Sequence, residues 1–585
     1  MQTRTLLLLL FIVSIAVGGS AHGASEKRDL DLQAMTALEL TFQMGLGINL
    51  GNTMEAYGRP HLGAGASPTD YETFWGQPIT TADMIRAMKL AGFDSIRIPV
   101  AWTNTMDYEN GDYTIDQAYL ERVEEIVNYA LAADMFVVLN DHWDGGWWGM
   151  FGSADQETRQ RAMDLFTAMW TQVGLHFRDY SHQLIFEVAN EELGSRLNET
   201  SIALDSGYLS EDATYRVTNQ LNQAFVDLIR SQGGNNAHRF LLVAGYNTDI
   251  TRTIDDRFKM PTDTAQDKLL LSVHYYTPWS YCGTDGVNRW GTEQEYQIQN
   301  QLLEKMTKFT REGYGVIFGE YGVLPKADGS LKNNTVDFLT NFHDNMDLYG
   351  YVPMLWDTSS FFIRRELAIV DQDLARFFEE RSLPRRASLH SDPIREQAKA
   401  SMAAALDVAR QRDAEAGPTL GSAGEAVAWI MFDSGDYQIT YSVGDIYTPT
   451  SKTEGVIAYD VVVTGAGTYT VGLDFTQTAV GFANSITFSA VGIAHGEVLF
   501  PRYIIDIKKI LINGEPYNMR GRPYTTADDG ICTRVNLYNE WVTRIPDNIR
   551  MINPNWRPYV SATLLNKQNL GRIESIEVVF DYVPK

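Results

Sequence analysis

Between Met44 and Phe378, short apolar runs recur every 30 to 50 residues or so, and that rhythm constrains the fold more than any other feature. The runs are Gly45–Leu50, Ser95–Val100, Phe136–Asp141, Leu184–Val188, Phe240–Ala244, Leu269–Tyr275, Val316–Gly319 and Tyr351–Trp356. Most are continuous rather than alternating, as expected of parallel strands covered on both faces. Between them lie amphipathic stretches that predict helices: Thr81–Ala91, Gln117–Ala133, Gln156–His176, Ala213–Gln232, Glu293–Glu312 and Leu331–Leu348. Strands and helices in this alternation predict an α/β chain folded as a (β/α)8 TIM barrel with enlarged loops. The weakest repeat is Thr251–Lys268, where Pro261 interrupts any long helix. An open doubly wound sheet is the alternative, but no Gly-rich phosphate loop accompanies these strands.

The two ends of the chain read differently. Residues 1–23 have the form of a secretory signal: Arg4, an apolar stretch Leu6–Val17, and small residues at Ala21 and Gly23. Twelve or so apolar positions are too few to span a bilayer. The mature protein is therefore expected to be exported, extracellular or periplasmic, with no membrane association after cleavage. Residues 33–385 are assigned to the barrel. Residues 386–424 read as a helical spacer, from Ser391-Asp392-Pro393 to Glu415-Ala416-Gly417-Pro418, and its stripe of Ile394, Ala398, Met402, Ala405 and Leu406 favours packing on the barrel. Residues 425–585 predict a smaller all-β sandwich, with strands at Ile457–Val463, Tyr469–Phe475, Ser485–Val491, Ile504–Ile512 and Ile573–Val583. In the last, Ile576, Val578, Phe580 and Tyr582 share one face.

Charge narrows the partners. With 48 basic and 74 acidic side chains, the net charge is −26. So acidic a surface repels nucleic acid and anionic lipid. A monomer is expected. Cys282 and Cys532 stand too far apart in sequence to form a disulfide framework or a zinc cluster by themselves. No metal-ligand spacing, nucleotide motif or Gly-x-Ser-x-Gly elbow is present, so no metal and no cofactor is expected.

In a barrel of this kind the reacting groups stand at the C-terminal ends of the strands. In chain order those ends hold Asn52; Arg97 and Trp102; His142 and Trp143; Asn190, Glu191 and Glu192; Tyr246 and Asn247; His274 and Tyr276; Glu320 and Tyr321; Trp356 and Asp357. Glu191 and Glu320 close the fourth and seventh strands, near enough on an eight-membered ring to meet across its mouth. A buried carboxylate is costly unless paired, so several at one rim point to chemistry. Two carboxyls suit glycoside hydrolysis: one protonates the departing oxygen, the other attacks the anomeric carbon or activates water. Aromatic faces stack on sugar rings, and Asn, His and Arg meet the polar edges. The loop Asp144-Gly145-Gly146-Trp147-Trp148 places two indoles beside the third strand, and Trp75, Trp279 and Trp290 occupy other rim loops. A single Trp is more often core than sugar platform, but a Gly-rich loop at a strand end tips the balance toward a platform.

Six of these segments together resemble glycoside hydrolase family 5, in its endo-β-1,4-glucanase (cellulase) and xyloglucanase-like branch. They are Gly47-Ile48-Asn49-Leu50-Gly51-Asn52, Ser95-Ile96-Arg97-Ile98-Pro99-Val100, Phe186-Glu187-Val188-Ala189-Asn190-Glu191, Ser272-Val273-His274-Tyr275-Tyr276, Phe318-Gly319-Glu320-Tyr321-Gly322 and Leu355-Trp356-Asp357. The resemblance implies retaining hydrolysis, with Glu191 as acid/base and Glu320 as nucleophile. It further implies that Asn190 holds the sugar 2-hydroxyl, Arg97 bonds Glu320, Tyr276 supports the nucleophile and His274 the acid/base. His142 and Trp356 would line the subsite beyond the scissile bond, with Asn52, Trp143, Trp147, Trp148 and Trp279 completing the substrate contacts. Neighbouring side chains on a strand face opposite ways, so Glu192 should point away from the mouth. The family often carries two adjacent histidines after the third strand. Here Trp143 replaces the second, which leaves subsite preference open.

The sandwich resembles, more loosely, the noncatalytic modules that follow secreted glucanases. Carbohydrate binding through Trp429, Trp541 or Trp556 and a purely structural role are both open. The functional expectation is a secreted endo-acting enzyme cutting β-1,4 bonds in cellulose-type or mixed-linkage glucan, or xyloglucan. The alternatives are a mannanase or xylanase of the same fold and a noncatalytic polysaccharide-binding protein.

Overall fold

The computed structural model describes residues 31–199, 204–283, 289–326, 328–387, 392–416, 425–434, 438–441, 449–452, 455–528, 531–542 and 544–585. The signal segment expected at residues 1–23 lies outside them. Eight parallel strands close into a barrel in sequence order: β1 Gly47–Asn49, β2 Ser95–Ile98, β3 Phe136–Asn140, β4 Leu184–Glu187, β5 Leu241–Ala244, β6 Leu269–Tyr275, β7 Gly315–Tyr321 and β8 Val352–Leu355, with β8 pairing back onto β1. All eight expected runs are strands. No end moves by more than two residues; β1 starts two after the expected Gly45, β2 stops two before Val100, and β7 continues two past Gly319.

Alternation along each strand divides the residues between two environments. Ile96, Val137, Phe186, Val243, Leu271 and Phe318 join the large cluster between strands and helices. Val138, Ile185, Leu242, Leu270, Ile317 and Met354 form a separate cluster that fills the lower barrel. The helix Ala37–Gln43 plugs its floor with Leu40, and Met44 follows just beyond its last turn. One side-chain layer higher the same face turns polar: Asn49, Arg97, Asn140, Glu187 and Ser272 are all fully buried. That layer is the platform on which the mouth is built.

Helices Ala82–Leu90, Gln117–Ala132, Gln156–His176, Glu211–Ser231, Glu293–Glu304 and Thr335–Tyr349 surround the strands. Thr81, Asp116, Asp155, Ser210 and Thr292 cap five of them by accepting a backbone N–H of the first turn, each worth about 1 kcal/mol. Between β5 and β6 there are only the short turns Tyr246–Thr248 and Ile250–Thr253, and Pro261 lies in the irregular stretch that follows. The long helix Asp392–Ala416 lies along Thr335–Tyr349 and Glu293–Glu304. It buries Ile394, Ala398, Met402 and Ala409, and Arg410 pairs with Glu293 at 2.8 Å. The predicted apolar stripe is thus a barrel contact, and the segment is packed rather than extended as a free spacer.

From Ala426 onward the described chain forms two antiparallel sheets around their own core. One is ordered Pro449–Lys452, Gln438–Tyr441, Ala426–Asp433, Phe488–Ala494, Cys532–Asn539 and Thr525–Asp528, with Val461–Val463 also paired to Ala426–Asp433. The other is ordered Ile457–Tyr459, Gly467–Asp474, Ser575–Val583, Ile504–Ile512 and Glu515–Tyr517. Ile576, Val578, Phe580 and Tyr582 face the core as their alternation predicts. Ala426–Asp433, central to its sheet, was not among the expected strands. Its unbroken apolar run lacks the alternation that marks a half-buried strand, and all but its last residue are buried.

Candidate active site

Arg97 on β2 organises the mouth. Its side chain is fully buried, and each nitrogen has a partner. Nε donates to Glu187 Oε2 at 2.6 Å, Nη1 to Asn49 Oδ1 at 3.0 Å and to Glu320 Oε1 at 3.1 Å, and Nη2 to Asn190 Oδ1 at 2.9 Å. Glu187 also accepts from Ser272 Oγ at 2.7 Å and Asn140 Nδ2 at 3.0 Å. A buried guanidinium is stable only with its charge and donors matched, and this network matches them. Neither Asn49 nor Glu187 was singled out from the sequence. The available signal was polarity: both interrupt apolar strands at the level of Arg97.

Glu320 owes its direction to an irregularity in β7. Val273 pairs with Phe318 but His274 pairs with Glu320, so Gly319 is an extra residue in the ladder. Such a bulge re-aims the next side chain. Gly319 is required there, because a Cβ would lie 2.9 Å from Ser272 Oγ and 3.0 Å from His274 Nε2. Tyr276 OH donates to Glu320 Oε2 at 3.1 Å.

Glu191, just past β4, faces Glu320 across the opening. His274 Nδ1 lies 2.9 Å from Glu191 Oε1 and 3.6 Å from Glu320 Oε2. One oxygen from each carboxylate and that nitrogen all fall within 4.8 Å of one another. Three such atoms could in principle ligate a cation, but Arg97 and a second arginine, Arg196, already neutralise the carboxylates, which makes the set a poor cation site. Arg196 Nη2 lies 2.8 Å from Glu191 Oε2. It was not singled out from the sequence. Burial raises the Glu191 carboxyl, but the hydrogen bond and charge of His274 outweigh it, with Arg196 and Arg97 adding, and the net direction is downward. Burial pushes Glu320 up, the Glu191 charge reinforces this, and His274 and Arg97 oppose it.

Glu192 turns away from the mouth, but both glutamates lie beyond the end of β4 at Glu187, so the loop and not strand alternation aims them. Glu192 is buried and accepts Trp143 N at 2.9 Å. Burial pushes its carboxyl up to about 7. The loop it holds is unusual: Trp143, Asp144, Gly145 and Gly146 all have positive φ. Asp144 is anchored on Thr103 N, Asp141 on Trp148 Nε1. Burial raises both carboxyls, Asp144 to about 6 and Asp141 well above its ordinary value. Acidic groups thus pin the loop that presents His142.

The rim aromatics separate into two groups. His142 stacks on Trp356, with ring centroids 5.6 Å apart and planes 6° from parallel. Burial, with Arg97 nearby, holds the imidazole well below its ordinary value, so it is neutral. Trp143 is half-buried against Tyr57. Asn52 is half-buried on β1's outgoing loop, where Gly51 packs so closely that a Cβ would touch the Trp356 ring at 3.1 Å. Trp279 is 63% exposed and meets Tyr276 edge to face. Trp147 and Trp148 differ from expectation: they stack on each other at 4.3 Å inside the barrel core, with Phe151 and Phe166 around them. Neither presents a face to a sugar, because positive φ at Gly145 and Gly146 folds the loop inward. Trp290 is likewise core, against Tyr296 and Phe338, whereas Trp75 is exposed.

A closed barrel with two carboxylates meeting over its mouth has the architecture of a retaining glycoside hydrolase. The family model for cellulase (glycosyl hydrolase family 5) matches residues 55–361, just over half of the chain, and the chain belongs to that family. It is 33% identical over 380 residues to Endoglucanase A of Paenibacillus barcinonensis, aligning 60% of this chain with 89% of that protein. It is 34% identical over 346 residues to a xyloglucan-specific endo-beta-1,4-glucanase of Bacteroides ovatus, aligning 56% of this chain with 66% of that one. Among solved structures, a GH5-4 broad specificity endoglucanase from an uncultured bovine rumen ciliate superposes with a TM-score of 0.52 at 31% identity, covering 60% of this chain and 99% of that chain. The family match ends at residue 361, so the sandwich lies outside it.

Proposed function

We propose that this protein is a secreted endo-acting hydrolase of β-1,4-glucosidic bonds in cellulose-type or mixed-linkage glucan, and in xyloglucan, working with net retention. The observation that carries the reading is the approach of Glu191 and Glu320 oxygens within 4.8 Å. Retaining enzymes hold their carboxyls about 5–5.5 Å apart, whereas inverting enzymes need roughly 6.5–9.5 Å to admit a water.

In this reading Glu320 attacks the anomeric carbon while Glu191 delivers a proton to the glycosidic oxygen. The leaving chain departs with that proton, and a glycosyl ester forms on Glu320. Glu191 then removes a proton from water, whose oxygen attacks the anomeric carbon and frees Glu320. Arg97 and Tyr276 fix the attacking carboxylate, and both can stabilise its charge when it leaves again. Asn190 accepts from Arg97 through Oδ1, which supports Nδ2 as the donor to the sugar 2-hydroxyl. The stacked His142 and Trp356, with Asn52 and Trp143, form one wall of the cleft, and exposed Trp279 offers a platform beside Tyr276. The relatives' names support glucan and xyloglucan as substrates.

Export rests on the signal-like residues 1–23. For the sandwich we propose carbohydrate binding, with Trp541 as the candidate platform because it is 63% exposed. Trp556 is half-buried beside Arg522, and Trp429 is enclosed in the sandwich core.

Anomeric configuration tests the reading directly. Proton NMR of the first products from cellotetraose and xyloglucan oligosaccharides should show the β-hemiacetal before mutarotation. An α-hemiacetal appearing first would rule out retention, and release from mannan or xylan alone would reassign the substrate.

A further inference from the structure

The Glu191 carboxylate has two nitrogen partners of different character. His274 is buried among β6 residues and cannot leave. Arg196 is 39% exposed on its side chain and reaches in from the turn Ser195–Asn198, with Nη2 2.8 Å from Glu191 and Nε 3.6 Å from Glu199. One guanidinium therefore stands between two carboxylates, one inside the cleft and one at its edge.

The backbone below is fixed. Asn247 accepts from Ser195 N at 2.9 Å and Ser195 Oγ at 2.8 Å, and donates to the Glu191 carbonyl at 2.9 Å. Gly194 sits at φ 142°, where a Cβ would come 2.6 Å from Asn247 Oδ1. Arg544 of the sandwich donates to Gly207 O at 2.9 Å, and residues 544–548 share a cavity of about 190 Å³ with Ser195 and Asn198. The Arg196 side chain extends from this anchored turn to its two carboxylate contacts, at 2.8 Å and 3.6 Å.

We propose that Arg196 is a positioning residue for the acid/base step, paired with Glu191 in the empty cleft and handed to Glu199 when a sugar occupies the leaving-group side. The inference rests on Glu191 being the acid/base. A general acid must carry a proton, and a guanidinium against its carboxylate opposes that. A glycosidic oxygen placed on Glu191 takes the position Arg196 occupies. Once Arg196 moves to Glu199, Glu191 takes up a solvent proton to give to the leaving oxygen. The other charged and titratable groups facing Glu191 stay in place: His274 on β6, Arg97 on β2, Glu320 on β7, Tyr276 after β6, and Glu192 behind it. The device links protonation of the acid to occupancy of the leaving-group side.

Because kcat/KM follows the free enzyme and kcat the bound complex, the two pH profiles separate this role from a structural one. On cellotetraose, Arg196→Gln should move the alkaline limb of kcat/KM up by about 1 pH unit, with the limb of kcat nearly unchanged and Arg196→Lys intermediate. Glu199→Gln, which removes the second carboxylate, should move the alkaline limb of kcat down. An unchanged circular dichroism spectrum and thermal midpoint for Arg196→Gln report intact folding, so that a moved kcat/KM limb is read from a folded protein. Coincident kcat/KM profiles for wild type and Arg196→Gln would overturn the inference, as would equal shifts in kcat and kcat/KM. A Glu191→Gln protein that cleaves cellotetraose normally would instead defeat the acid/base reading. An inactive Glu191→Gln beside an unmoved Arg196→Gln profile would defeat this inference alone.

Discussion

Glu320 pairs in register with His274 only because Gly319 adds one residue to β7 ahead of it. Without the bulge, alternation would send Glu320 to the outer face, toward the helices. Gly319→Ala should therefore impair the reaction more than its size suggests. The new methyl meets Ser272 and His274, and a misplacement near 1 Å is worth roughly 100-fold in rate. Steady-state kinetics beside a thermal melt checks this: kcat should fall by about 10- to 100-fold with Tm only slightly lowered.

The two carboxylates should respond differently to amide replacement. Glu320→Gln cannot form the glycosyl ester and should lose nearly all turnover on every substrate. Glu191→Gln should lose about 100- to 10,000-fold on carboxymethyl cellulose, far less on dinitrophenyl cellobioside, and azide should rescue the latter as a glycosyl azide. Equal losses on both substrates would argue against the assignment.

Arg97 and Glu187 form a fully buried ion pair, so breaking it differs from deleting it. Arg97→Met alone leaves Glu187 and Glu320 uncompensated and should cost about 3–5 kcal/mol in chemical denaturation. Arg97→Met with Glu187→Leu should recover much of that stability without recovering activity, because Glu320 still lacks its guanidinium partner. Recovery of activity in the double variant would mean that Arg97 serves packing alone.

Two tryptophans provide a contrast between surface and core. Trp279→Ala removes an exposed ring and should leave Tm near wild type while lowering kcat/KM on cello-oligosaccharides by about 10-fold, within the 1–3 kcal/mol of a typical subsite contact. Trp148→Ala opens a cavity beside Phe151 and Phe166 and should cost about 3–5 kcal/mol of stability. Calorimetry with oligosaccharide titration distinguishes the two effects.

Glu192 predicts a pH dependence of stability. Its folded value near 7 lies above the ordinary 4.5, so the unfolded chain releases its proton first as pH rises. The stability this group contributes is present below about pH 4.5 and is lost as pH climbs through about 7. Glu192→Gln keeps an acceptor for Trp143 N and should flatten the profile. Above pH 8 it should be more stable than wild type by on the order of 2–3 kcal/mol. Denaturant midpoints from pH 5 to 8 measure this, and parallel profiles for both proteins would contradict it.

Much of the architecture was legible in one dimension because strand and helix periods are local properties of the backbone. Eight apolar runs and the helices between them identified the barrel, and strand ends picked out Arg97, Glu191, His274 and Glu320 before any contact was known. Glu191 and Glu192 do point apart as expected, but the loop after β4 and not strand alternation separates them. The stripe on Asp392–Ala416 marked the face that packs, though not the surface it packs on.

What only the tertiary structure decided was which way irregular backbone turns, and which distant groups it brings together. Trp147, Trp148 and Trp290 lie in rim loops like Trp279, yet three are core and one faces solvent. Positive φ through the Gly145 turn aims two indoles inward, and no local period encodes that. Arg196 sits five residues beyond Glu191 and meets it only because Asn247, from the next repeat, folds the turn back. The sequence alone determined the kinds of chemical group and their order around the ring; long-range packing determined which of them touch, since hydrogen bonds and burial depend on neighbours that the chain order does not bring near.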